Sequence, residues 1–155
     1  MKRIIESKSV IADLMLPNQA NPAGMVHGGE IMKMMDNCGG VAAVRHARMN
    51  VVTLRVDEMV FYEPILVGQL VTCESRLVFT GRTSMEVEVT VKVEDLLSEA
   101  PAKVALTAFF TYVALDENGK PCEVPALLVE TEEEAQAFEM GKMRHLKHKS
   151  NIKLL

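Results

Sequence analysis

The sequence predicts an α+β fold in which one long buried helix is wrapped by an antiparallel β-sheet, with an additional helix at the C-terminal end. Three observations lead there. From Gly28 to about Arg48, apolar residues spread over most of a helix circumference, the pattern of a helix with little access to water. Strand-like runs follow, and in the clearest of them Met85, Val87, Val89, Val91 and Val93 alternate with Glu86, Glu88, Thr90, Lys92 and Glu94. Thr131-Glu132-Glu133-Glu134 then forms a capping-box signature, which opens a last helix over about 131–149.

In chain order, Ser7 to Leu16 reads as a first strand, ended by Pro17 and Asn18. Asn21-Pro22-Ala23-Gly24 is a turn, with proline at its second position and glycine at its fourth. In the long helix, Ile31, Met32, Met34, Met35, Cys38, Val41, Ala42 and Val44 supply the apolar surface, and Glu30, Lys33 and Asn37 form a polar strip. Val52, Leu54 and Val56 alternate with Thr53, Arg55 and Asp57. Leu70 to Phe79 is strand-like with weaker alternation, and Val104 to Leu115 is a β-branched and aromatic run ended by Asp116, Asn118 and Gly119. The short link at Gly81 makes its flanking strands antiparallel neighbours. No repeat or linker breaks the chain, and its 155 residues fit one domain, 1–155. A sheet left open has two edges, each a liability; pairing edges across a two-fold axis removes one, so a dimer is expected.

Charge and composition narrow the function. A formal net charge of −4 argues against a general nucleic-acid binder, whose affinity comes largely from Lys and Arg on phosphates. No apolar run reaches the length of a membrane span, and Glu6 and Lys8 interrupt any signal-like apolar stretch at the start, so a cytoplasmic protein is expected. Cys38, Cys73 and Cys122 are spaced too widely for a metal or redox pair.

Asp36 is the most informative residue. A carboxylate on a largely buried helix is costly unless it is paired or has a task, and general-base chemistry is one such task. Met32, Asp36, Gly40, Ala43 and Ala47 share a stripe that is small beyond Asp36, which leaves room for a ligand. The alternative places Asp36 in the polar strip with Lys33 as its ion-pair partner. Gly28 and Gly29 open the helix, where free N–H groups and the helix dipole can hold an anion or a polarised carbonyl; a tight entry turn is the other reading. Asn21 reads first as a turn opener. His27, beside the glycine pair, reads alone as structural. Arg82, Thr83 and Ser84 can hold a phosphate, although a polar hairpin tip needs no such role. His145 and His148 lack the partner pattern of a zinc site, and no serine-hydrolase elbow or phosphate-binding glycine loop occurs.

The series Asn21, Gly24, Gly28, Gly29, Met32 and Asp36 resembles the motif of the hotdog-fold cytosolic acyl-CoA thioesterases. The likeness continues through Val51-Val52-Thr53, Met59 and Phe61, Thr83-Ser84-Met85-Glu86, the run 108–113, Glu130-Thr131-Glu132, and Gly141, Lys142 and Arg144. The resemblance implies a hotdog fold, in which two subunits pair their sheets edge to edge and dimers assemble as trimers of dimers. It implies hydrolysis of acyl-CoA without a further cofactor, coenzyme A being part of substrate and product. Asp36 would be general base or nucleophile, Asn21 of the other subunit would orient water or substrate, and the N–H groups of Gly28 and Gly29 would bind the oxyanion. His27, Met59, Phe61, Arg82, Thr83, Ser84, Lys142 and Arg144 are the expected substrate contacts, the cations offsetting the CoA phosphates. A hotdog hydratase or dehydratase, or a non-catalytic acyl-CoA sensor, is the alternative; the former needs a His with a carboxylate companion, which no His here has in the sequence pattern.

Overall fold

The computed structural model describes residues 1–149. A two-residue strand β1 (Lys2–Arg3) leads through a tight helical turn, Ile4–Glu6, to β2 (Ser9–Leu14) and a second turn, Pro17–Gln19. Helix α1 (Gly28–Ala47) follows, then β3 (Asn50–Phe61), β4 (Leu70–Thr80), β5 (Ser84–Glu94), β6 (Lys103–Leu115), β7 (Leu127–Leu128) and α2 (Glu132–Lys149). The main sheet has the order β2-β4-β5-β6-β3, every neighbouring pair antiparallel, while β1 and β7 pair in parallel apart from it.

The alternation in β5 decides how the layers stack. Val87, Val89 and Val91 are fully buried on the face that receives α1, against Met35, Cys38 and Ala42. Close approach is built in at Gly39, where a Cβ would stand 2.6 Å from the Tyr112 hydroxyl and 3.2 Å from Val89 Cγ2. The helix ends where Arg48 turns left-handed (φ 55°) and its N–H caps the Val44 carbonyl.

The opposite face is covered by α2. Thr131 Oγ1 accepts from the Glu134 N–H, as the capping signature requires, but the Glu134 carboxylate reaches back to the Glu130 N–H. Phe138 and His145 lie against Phe79, and Gly141 sits where a Cβ would fall 2.6 Å from the Phe79 Cβ. Under α2, Glu86 is only 2% exposed and Arg144 clasps its Oε1 through Nε (2.9 Å) and Nη2 (2.6 Å). Arg144 also reaches Glu58 at 3.0 Å and lies 3.7 Å over the Phe109 ring. Burial pushes the Glu86 carboxyl up and the guanidinium pulls it back. Arg144→Met would leave that carboxylate buried and unpaired, so a loss of about 3–5 kcal/mol is expected in denaturant melts. Glu86→Gln with Arg144→Met should recover part of it.

The structure departs from the sequence expectation in three places. The first strand is Ser9–Leu14, shorter than residues 7–16, because a helical turn precedes it and Leu16 leads into another. The β1–β7 pair has no signal in the sequence, since two-residue strands carry no alternation. Helix α1 is not wrapped on every side: Met32, Val41 and Val44 remain exposed, as do Val52, Val56, Val60 and Phe61 on the edge strand β3. Among the described residues, no helix is long and apolar enough to cross a membrane.

Candidate active site

Asp36 projects from the open side of α1. Its Oδ1 accepts from Thr53 Oγ1 at 2.7 Å and from the Tyr112 hydroxyl at 3.1 Å, and that hydroxyl also lies 2.9 Å from the Asp36 carbonyl oxygen. Thr53 and Tyr112 are directly opposed across the β3–β6 ladder. Burial first, and the Asp36 carboxylate second, hold the Tyr112 phenol above its ordinary titration range, so it stays a donor. Both bonds go to Oδ1; among the described residues Oδ2 has no partner, and no ion pair joins Asp36 to Lys33. Beside the carboxylate lies a cavity of about 430 Å³, walled by Gly40, Val41, Val44, Val51 and Thr53.

Asn21 belongs to a different place. Its Oδ1 accepts from the N–H groups of Ala23 (2.9 Å) and Met25 (3.1 Å), so the turn reading holds for this oxygen. That pairing orients the amide and leaves Nδ2 without a partner among the described residues. Among the described residues the N–H groups of Gly28 and Gly29 have no acceptor, the first helical bonds being made by Glu30 and Ile31 to the His27 carbonyl. A Cβ at either glycine would meet nothing within 4 Å. Asn21, Gly28 and Phe61 line a cavity of about 150 Å³, to which Asp36 does not contribute. Within one chain, Asn21 and Asp36 therefore face separate cavities.

The other expected contacts fall into three groups. His27 and Phe61 are exposed, Phe61 at 60%, while Met59 packs in part against the core. Arg82 is exposed with a loose ion pair to Glu123 at 4.0 Å, and Lys142 is exposed on α2. Thr83 and Ser84 are 0% and 2% exposed, and Arg144 is committed to Glu86 and Glu58, so in a single chain none of the three offers its side chain to a phosphate. Sequence reasoning did not single out Thr53 and Tyr112. Both stand in the motif runs quoted above, but their convergence on Asp36 needs the β3–β6 register, which shifts at Leu54 and again between Asp57 and Val60.

The family model described as the thioesterase superfamily matches residues 23–100, half of the chain. The chain belongs to the thioesterase superfamily. Its arrangement of one helix against a five-stranded antiparallel sheet is the hotdog fold of that superfamily. Among its relatives, the cytosolic acyl coenzyme A thioester hydrolase of Rattus norvegicus is 41% identical over 93% of this chain. The chain spans 38% of the length of that relative. An acyl-CoA hydrolase from Staphylococcus aureus, solved with butyryl coenzyme A, coenzyme A and coenzyme A disulfide, superposes with a TM-score of 0.87 at 29% identity, over 97% of this chain and 91% of that one. The same hydrolase has been solved with alanine in place of one Asp, one Asn and one Thr, whose separations equal those among Asp36, Asn21 and Thr53. An acyl-CoA thioesterase solved as an apo hexamer matches with a TM-score of 0.89 at 33% identity, over 97% of each chain.

Proposed function

We propose that this chain hydrolyses acyl-CoA to a free carboxylic acid and coenzyme A, at a site shared by two subunits. The observation that carries the reading is where the two cavities stand on the edge strand. The Asn21 cavity includes Phe61, the last residue of β3, and the Asp36 cavity includes Val51 and Thr53 near its start. A two-fold axis that pairs β3 with its copy antiparallel lays the end of one strand beside the start of the other. Asn21 and the Gly28–Gly29 backbone of one subunit then come next to Asp36 of its partner. The exposed Val52, Val56 and Val60 on that edge are covered by the same pairing. The hexameric neighbour supports association of such dimers in threes.

In this site the thioester carbonyl lies between the free N–H groups and Asp36. As general base, Asp36 takes a proton from water as the water oxygen bonds to the carbonyl carbon; the N–H groups of Gly28 and Gly29 hold the oxyanion. The C–S bond then breaks and coenzyme A leaves as thiolate. As nucleophile, the carboxylate attacks the carbonyl carbon, the C–S bond breaks with coenzyme A leaving as thiolate, and water then hydrolyses the anhydride so formed. The Asn21 amide donates to the water or the carbonyl. Thiol release across a panel of acyl-CoAs tests the reading. Turnover on at least one chain length is expected; tight binding of every acyl-CoA without release would point to a sensor instead.

The exposed cations give a further check. Arg82→Gln and Lys142→Gln should raise KM for acyl-CoA and weaken its salt dependence, with hydrolysis of a short pantetheine thioester almost unchanged. Equal losses on both substrates would mean that these cations act on the fold or the helix dipole.

A further inference from the structure

We propose that Tyr112 is a positioning residue for Asp36, that Gly39 is the opening through which it reaches α1, and that Asp36 reacts through Oδ2. This rests on the thioesterase reading of the site.

An ionised carboxylate has two oxygens, each able to accept. Here Oδ1 takes both protein donors, Thr53 Oγ1 at 2.7 Å and Tyr112 OH at 3.1 Å. Two donors from opposed residues of adjacent strands fix the carboxylate's torsion and leave Oδ2 as the oxygen with an unspent lone pair. The Tyr112 proton is also within reach of the Asp36 carbonyl at 2.9 Å, so the phenol touches the residue at two points, backbone and side chain. Tyr112 itself is 1% exposed and stacked 6.2 Å from Phe110, which gives it no freedom to follow a misplaced helix.

Gly39 makes the contact possible. It lies one turn beyond Asp36 on α1, over the phenol, and a Cβ there would come 2.6 Å from the Tyr112 oxygen. That oxygen ends a buried ring rather than a flexible chain, so the clash would be relieved by moving the hydroxyl off Asp36 or α1 off the sheet. Gly40, its neighbour, would place a Cβ at an ordinary 3.9 Å from the same ring, which separates the two glycines: Gly39 serves Tyr112, and Gly40 serves the cavity.

The experiment compares Tyr112→Phe, Gly39→Ala and the two together, with wild type and Asp36→Asn alongside. Tyr112→Phe should lower kcat by about 10- to 100-fold, the factor expected for one hydrogen bond to a charged group, with KM for acyl-CoA little changed. Gly39→Ala should fall in the same direction. In the Tyr112→Phe background, where the oxygen at 2.6 Å is gone and only the contacts to Val89 Cγ2 (3.2 Å) and the ring Cε2 (3.3 Å) remain, the alanine should cost less than it does in wild type. Melting curves and coenzyme A binding identify any variant that has merely lost its fold; in a variant that keeps both, a loss confined to kcat reads the contact. Normal kcat in Tyr112→Phe would overturn the proposal. So would a Gly39→Ala penalty of equal size in both backgrounds, which would make the glycine a packing device only. Failure of the underlying thioesterase reading would look different, with wild type itself releasing no thiol.

Discussion

Asp36→Asn is expected to lower kcat by about 10²–10⁴-fold, the range that general-base assistance alone supplies. The substitution is isosteric, and its amide oxygen can still accept from Thr53 and Tyr112 at the place Oδ1 occupies. What changes is the other atom. An NH₂ group replaces Oδ2, so that position can neither take a proton from water nor attack a carbonyl. Coenzyme A affinity and the melting temperature should stay close to wild type, because the contacts of α1 are untouched. Steady-state thiol release with calorimetric coenzyme A titration separates these quantities. Activity within a few-fold of wild type would remove Asp36 from the chemistry, whatever its neighbours do.

The second large effect comes from mixing. Asn21→Ala and Asp36→Ala proteins should each be nearly inactive, and subunit exchange between them should return activity. In a mixed dimer one site carries both lesions and the other neither, so random exchange of equal amounts returns about a quarter of wild-type turnover. The expectation follows from the separate cavities of Asn21 and Asp36 and from their positions at opposite ends of β3. If mass measurements show exchange and no activity returns, both residues do not serve one site across this edge. Restoration in mixtures that cannot exchange would also count against it.

Much of this architecture is legible in the chain because the signals are local. Alternation over Met85–Val93 became the central strand β5 (Ser84–Glu94), and its buried face is the one the valines predict. The apolar circumference after Gly28 became α1, and the Thr131 cap set the start of α2. Local chemistry also put Gly28 and Gly29 at a helix start with free N–H groups, since the first turn of a helix leaves its donors unpaired by geometry alone. Asp36 stood out for a similar reason: a carboxylate among apolar neighbours at helical spacing raises the question of what it meets.

Only the tertiary structure answered that question. Thr53 and Tyr112 are far from Asp36 in sequence and reach it through a strand register that includes a bulge, and neither periodicity nor residue type encodes register across such a break. The fate of Arg144 was decided in the same way. As one cation in a basic segment it looked able to meet phosphate, but α2 folds back over the sheet and sets it on Glu86, a glutamate whose alternation reads as solvent-facing until a helix covers it. Elements form from neighbours along the chain, and so are written in it plainly. Which side chains meet depends on how whole elements pack, and burial there turns an ordinary surface pair into a contact the fold depends on.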